Sequence, residues 1–210
     1  MFSIKVSLDY GWAKVKENMQ ISVLATLLML AVSAISGGKR RAVGTIVSLA
    51  AVVFGLIIRI GYTKIFLRMS DGEKPKFSEI FSEYELFWKF LGVAILTALA
   101  VAGGLILLII PGLIWAVRFS FAPFVVVDTK MGPVAAMKES YAITKGNFWK
   151  LVLFWLAVIG INLIGVILLG IGLLFTIPMT TFATIFVYRA LSKTKAAVLV
   201  EPGQAPAASV

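Results

Sequence analysis

The chain of 210 residues contains neither cysteine nor histidine. Without cysteine there is no disulfide framework, no thiolate metal site and no thiol nucleophile. Without histidine there is no imidazole base and no histidine metal ligand. Charge is also scarce, with 14% charged residues against 60% hydrophobic. A soluble domain usually carries about 25% charged residues. This chain has too little polar surface to coat a globule, which excludes a soluble enzyme domain. Its ten acids all lie outside the apolar runs. No buried carboxylate is therefore available for a proton relay or a sodium site, which speaks against an ion-coupled transporter of the usual design. No glycine-rich phosphate loop, carboxylate pair or nucleophile motif is present. The sequence calls for no enzyme activity, no metal and no cofactor.

What the chain has is apolar length, and it reads as an all-α polytopic integral membrane protein. A spanning helix needs about 20 mainly apolar residues. The run Leu151–Tyr188 holds 38 residues without a charge. As one helix it would reach ~57 Å, against a hydrocarbon core of about 30 Å. It must fold back, and Gly170-Ile171-Gly172 is the natural turn. The run from Phe90 to Val127 has its natural break at Pro111-Gly112, where proline removes a helix donor and glycine tolerates the reversal. About six transmembrane helices follow, in three hairpins at 21–66, 90–127 and 151–190. Together they form a single transmembrane domain over 1–191, with 192–210 as a disordered cytoplasmic tail.

Twenty Lys and Arg against ten acids give a net charge of +10. With both termini cytoplasmic, fourteen of the basic residues lie inside. Only Lys39, Arg40 and Arg41 lie outside, and Arg59, Lys64 and Arg118 fall in or near spans. This fits the positive-inside rule, with the Lys39-Arg40-Arg41 cluster as the exception. The expected location is the cytoplasmic membrane. Nucleic acid is not an expected partner, because no aromatic-basic platform accompanies the charge. Ala31-Val32-Ser33-Ala34 has the small residues of a signal-peptide cleavage site, but Asp9 and Glu17 upstream favour an amphipathic helix.

Each hairpin is preceded by an interfacial amphipathic helix. Leu8, Trp12, Val15 and Met19 fall at i, i+4, i+7 and i+11. Phe77, Phe81, Tyr84 and Trp88 repeat the spacing, as do Met137, Tyr141, Thr144 and Phe148. This spacing places each set on one helical stripe. Trp12, Trp88, Tyr141 and Trp149 read as anchors at the membrane–water boundary. An offset of 129 residues also aligns Ala13, Lys16 and Asn18 with Ala142, Lys145 and Asn147. That alignment is read equally as duplication or as the common look of helices entering a membrane.

Arg118 is the sharpest single residue, because it lies about six residues inside the fourth expected span. Its candidate partners are a lipid phosphate, carbonyls freed at Pro111, or Asp128. Arg59, Lys64 and Arg68 descend one end of the second span and read as further contacts for anionic headgroups. Asn162, Thr180 and Thr184 in the last hairpin read as bonds between helices or to the backbone. The alternative makes them a polar path through the membrane.

Three runs resemble a family. They are Asp71-Gly-Glu73-Lys-Pro75-Lys-Phe77 through Phe81, Ile110-Pro111-Gly112-Leu-Ile-Trp115-Ala-Val-Arg118, and Val127-Asp128 through Trp149. Together they are similar to the membrane domain attached to some prokaryotic glycerophosphoryl diester phosphodiesterases, and to small stand-alone inner-membrane proteins related to it. The resemblance covers roughly residues 5–190 and implies a fold and a location. It implies no activity, since the barrel that carries it in the relatives is missing. The resulting expectation is a non-enzymatic, envelope-supporting protein in contact with anionic membrane phospholipids. Its alternatives are a small-solute transporter or channel, and the membrane subunit of a lipid-related soluble enzyme. A homo-oligomer or a cytoplasmic partner protein stays open.

Overall fold

The computed structural model describes residues 2–37, 45–168 and 170–199. The Lys39-Arg40-Arg41 cluster and residues 200–210 lie outside the described residues. The elements are α1 (Ile4–Glu17), α2 (Met19–Gly37), α3 (Thr45–Ser70), α4 (Phe87–Leu107), α5 (Ile109–Phe119), α6 (Ala122–Thr129), α7 (Pro133–Thr144), α8 (Phe148–Ile167) and α9 (Leu173–Leu199). Two short 3-10 turns, Phe77–Phe81 and Tyr84–Leu86, precede α4. No strand occurs among the described residues. The chain is an all-α polytopic membrane protein.

Four segments are long and apolar enough to cross a membrane: Phe77–Ile106, Ile109–Thr129, Phe148–Ile167 and Leu173–Lys193. A fifth arises if α1 and the first part of α2, bent by 100°, count as one broken span. Four or five such spans among the described residues are consistent with the expected polytopic bundle. The helix α3 carries Arg59, Lys64 and Arg68 toward its C-terminal end.

Local chemistry explains three departures from expectation. The break in the second hairpin falls at Leu108, whose backbone is extended (φ −163°, ψ 144°), and not at Pro111. Pro111 sits in the first turn of α5, where a missing N–H breaks no helical bond. The second interfacial element is a pair of 3-10 turns and not an α-helix. Its Lys76 N–H is taken by the Glu79 side chain at 2.9 Å, which closes the turn locally. The last helix continues eight residues past the expected boundary at Leu191, to Leu199. Ala196, Ala197 and Leu199 are good helix formers, and the first proline beyond them is Pro202. The turn between α8 and α9 lies where expected, with Gly170 at φ +76°, a conformation glycine adopts without strain.

The helices form three consecutive units: α1–α3, the 3-10 pair with α4–α6, and α7–α9. Each unit opens with a short element that packs on a neighbouring unit. The first 3-10 turn lies on α3 and α7 lies on α4 and α6, while α1 reaches from one end of the chain to lie on α9. The three units thus close a ring. Each joint needs a glycine. A Cβ at Gly11 would strike the Met179 carbonyl, and one at Gly61 the Ile80 carbonyl. One at Gly92 would come within 2.7 Å of Pro133 Cγ. Small residues at helix crossings are how membrane helices approach closely.

The ring supports the duplication reading. α1 and α7 begin at 4 and 133, and α2 and α8 begin at 19 and 148. Both pairs carry the same offset of 129 that aligns the sequence identities. The packing corrects the stripe of the first unit, however. α1 buries Ser7, Gly11 and Val15, while Trp12 and Met19 are exposed. The residue that must face α9 is the small one, because the backbones touch there.

Inside the ring, aromatic contacts link the units. Phe66 meets Phe182 at 4.7 Å and Tyr62 at 4.3 Å. Phe121 stacks on Tyr188 at 6.2 Å. Such pairs contribute about 0.5–1.5 kcal/mol each beyond simple burial. The Tyr62 hydroxyl lies 3.3 Å from Thr26 Oγ1 and 3.4 Å from Thr181 Oγ1, which satisfies a phenol buried between α2, α3 and α9.

Candidate functional site

Charge concentrates at one end of the bundle, where α3, α6 and α9 finish their apolar runs. Arg189 donates to both oxygens of Asp128, at 2.7 and 2.9 Å, and to Asp71 Oδ2 at 2.7 Å. Tyr188 adds an O–H donation to Asp128 Oδ2 at 2.8 Å. Asp71, Asp128 and Arg189 come from the first, second and third units, so one guanidinium ties the whole ring. Around it, Glu83 sits between Lys64 (3.5 Å) and Lys130 (3.2 Å), and Arg68 pairs with Glu73 and Glu79. A polar cleft of 330 Å³ lined by Lys64, Arg68, Asp71, Glu73 and Asp128 lies among these pairs.

This cluster corrects the sequence expectation for Asp128, which does not meet Arg118. α5 ends at Phe119 and α6 starts a new helix at Ala122. Asp128 therefore sits at the far end of a separate segment, facing α9. Sequence reasoning missed the Arg189 clasp. The available signal was positional, since Asp128 is the first acid after the run from Phe90 and Arg189 the first charge after Leu151–Tyr188. Lys64 and Arg68, read as lipid contacts, have acids beside them. Arg59 is exposed on α3, where its carbonyl accepts from Thr63 at 2.9 Å.

Arg118 occupies the last turn of α5. Its carbonyl accepts from the buried Ser140 Oγ at 2.7 Å, which fixes α7 against this turn. Its guanidinium carbon lies 5.0 Å from the Tyr141 ring centre and 5.9 Å from that of Phe148. Stacking of this kind contributes about 0.5–2 kcal/mol. Nε and Nη1 are shielded from solvent and find no acceptor among the described residues. Unmet buried donors cost about 1–3 kcal/mol each. The group is thus held in place by two rings, with Nε and Nη1 still without an acceptor.

Tyr141 and Trp149 flank this position and are 45% and 75% exposed. Trp88, at the start of α4, is 76% exposed. In the last hairpin, Asn162 Nδ2 donates to the Val158 carbonyl at 2.9 Å and to Thr180 Oγ1 at 3.2 Å. Thr180 and Thr184 donate to the carbonyls four residues earlier, at 2.8 and 2.7 Å. The structure brings Asn162 and Thr180 together, and their donors are spent inside their own hairpin. No group of three or more acids able to hold a metal ion occurs among the described residues.

Comparison with known proteins yields similarity without an assigned activity. A family described as a protein of unknown function (DUF975) matches residues 97–195. An uncharacterised protein of Mycobacterium bovis is 28% identical over 162 residues, 70% of this chain and 50% of its own length. One from Mycobacterium tuberculosis matches over the same shares. A UPF0259 membrane protein of Sodalis glossinidius is 30% identical over 123 residues, 56% of this chain and 48% of its own length. The chain thus spans about half the length of the curated relatives it matches. No solved structure matches it.

Proposed function

We propose that this chain is a non-enzymatic, envelope-supporting protein of the cytoplasmic membrane that binds anionic phospholipid, with Arg118 taking the headgroup. The observation that carries the reading is the guanidinium held by Tyr141 and Phe148 with two shielded N–H groups lacking an acceptor. A phosphate oxygen pair supplies what is missing, in the geometry that arginine recognises best. Exposed Tyr141 and Trp149, beside Lys145 and Lys150, have the composition of a membrane–water boundary. Tyr141 brings one such boundary ring against Arg118, which lies within the Ile109–Thr129 segment. The name of the Sodalis relative, a membrane protein, supports the membrane location alone.

The test is native mass spectrometry of the detergent-purified protein. Wild type is expected to retain phosphatidylglycerol in preference to phosphatidylcholine, and a folded Arg118→Gln variant is expected to lose that preference. Equal retention by both proteins would make Arg118 a purely structural residue.

The charge clasp and the boundary aromatics are assigned to the cytoplasmic side by the positive-inside rule. The natural lack of cysteine gives a clean background for labelling. Glu85→Cys is expected to react with an impermeant maleimide only after cells are opened, and Arg40→Cys in intact spheroplasts. Labelling of residue 40 only after opening would overturn the orientation of the first hairpin.

A second reading, the membrane subunit of a lipid-related soluble enzyme, is favoured by the resemblance to membrane domains fused to phosphodiesterases. Co-purification of one defined cytoplasmic enzyme with the protein would support it.

A further inference from the structure

Beside Arg118 an apolar groove of 510 Å³ runs between α4 and α7. This lies within the size range of ligand-sized clefts, about 300–1,000 Å³. Leu96 and Ala100 of α4 form one wall, and Val134 and Met137 of α7 form the other. Phe119 and Tyr141 also line it. Tyr141 is the same ring that lies 5.0 Å from the Arg118 guanidinium, and Phe119 is the next residue to Arg118. Among the described residues that line the groove, the charged one is Lys138 and none is an acid.

The arrangement is that of an apolar slot lined by one cation, with a second against its Tyr141 wall. We infer that this groove holds one acyl chain of an anionic diacyl phospholipid whose phosphate is bound by Arg118 and Lys138. The inference rests on the headgroup reading of Arg118 and extends it. It makes the ligand a lipid recognised by chain as well as by head, where a headgroup site alone would accept any anionic amphiphile. Ser140 supports the device, because its bond to the Arg118 carbonyl keeps the headgroup residue and the α7 wall in one register.

The experiment places wild-type protein in nanodiscs containing phosphatidylglycerol with a diazirine in mid-chain. After irradiation the crosslinks are mapped by peptide mass spectrometry. They are expected to concentrate on 96–100 and 134–141. Ala100→Trp fills the slot, and the yield on these segments is expected to fall severalfold with Arg118 intact. Arg118→Gln is expected to lower the same yield by releasing the head. Crosslinks spread evenly over the apolar surface of wild type would overturn the groove, and this readout does not depend on any variant folding. Loss of lipid retention in Arg118→Gln, with wild-type crosslinks mapping elsewhere, would keep the headgroup reading and remove the groove. Groove crosslinks unaffected by Arg118→Gln would remove the headgroup reading and with it the proposal in this form.

Discussion

Arg189→Ala is expected to be the most damaging removal of a charge in this protein, at about 2–3 kcal/mol of stability. Full burial would put the loss higher, at about 3–5 kcal/mol. The Arg189 side chain is 29% exposed and Asp128 is 20% exposed, so solvent takes up part of the cost. Three features make the loss larger than that of an ordinary surface pair, whose median is about 0–1 kcal/mol. The contact to Asp128 is bidentate. The same guanidinium holds Asp71. The acids it joins belong to two other units, so its loss loosens the ring as a whole. The order of single variants follows from exposure. Asp128→Asn should cost more than Asp71→Asn, because Asp71 is 44% exposed and makes one bond to the clasp. Thermal unfolding in detergent, followed by circular dichroism, checks the series. In the double variant Arg189→Ala with Asp128→Asn, the losses should add to less than their sum, since they share one interaction. Simple additivity would show that the clasp does not couple the units. Arg189→Lys should rescue only part of the loss, because an ammonium cannot span two carboxylates with a planar fork.

The second large effect is a pair of identical substitutions with different outcomes. Gly61→Ala is expected to destabilise by at least about 2 kcal/mol, at the upper part of the range for overpacking. Its new methyl would strike the backbone carbonyl of Ile80, which cannot swing aside as a side chain would. Relief requires the first 3-10 turn to lift off α3, opening the joint between the first two units. Gly160→Ala, in the middle of α8, meets nothing within 4 Å. There the gain in helix propensity, up to about 1 kcal/mol, is unopposed. The same measurement should therefore show a fall for one variant and no change or a rise for the other. Equal effects at both sites would mean that the joint yields easily and that glycine at 61 is incidental.

Much of this protein was legible in its residues, and the reason is the bilayer. A membrane forces backbone groups to be satisfied within each segment, so apolar length translates directly into helices. Leu151–Tyr188 was too long for one crossing, and it turns at Gly170 where two glycines allow it. Gly132-Pro133 and Gly146 bracket α7 because proline suits a first helical turn and Gly146 sits at φ +83°. The offset of 129 between α1–α2 and α7–α8 was visible as matching residues before it was visible as helices.

What the tertiary structure alone decided is which residues meet. The apolar stripe of α1 was read from hydrophobicity as Leu8, Trp12, Val15 and Met19. The packed face is Ser7, Gly11 and Val15, because closeness to α9 selects small side chains over apolar ones. The cations of α3 can be assigned only once their neighbours are known: Lys64 meets Glu83, and Arg68 meets Glu73 and Glu79. Arg118 was found from its sequence alone, since an arginine deep in an apolar run is anomalous wherever it points. Its partner was not, and Asp128 went instead to Arg189, 61 positions away in the chain. Composition and periodicity report the solvent that each segment needs. They carry no information on long-range pairing, which depends on how three hairpins close into one ring.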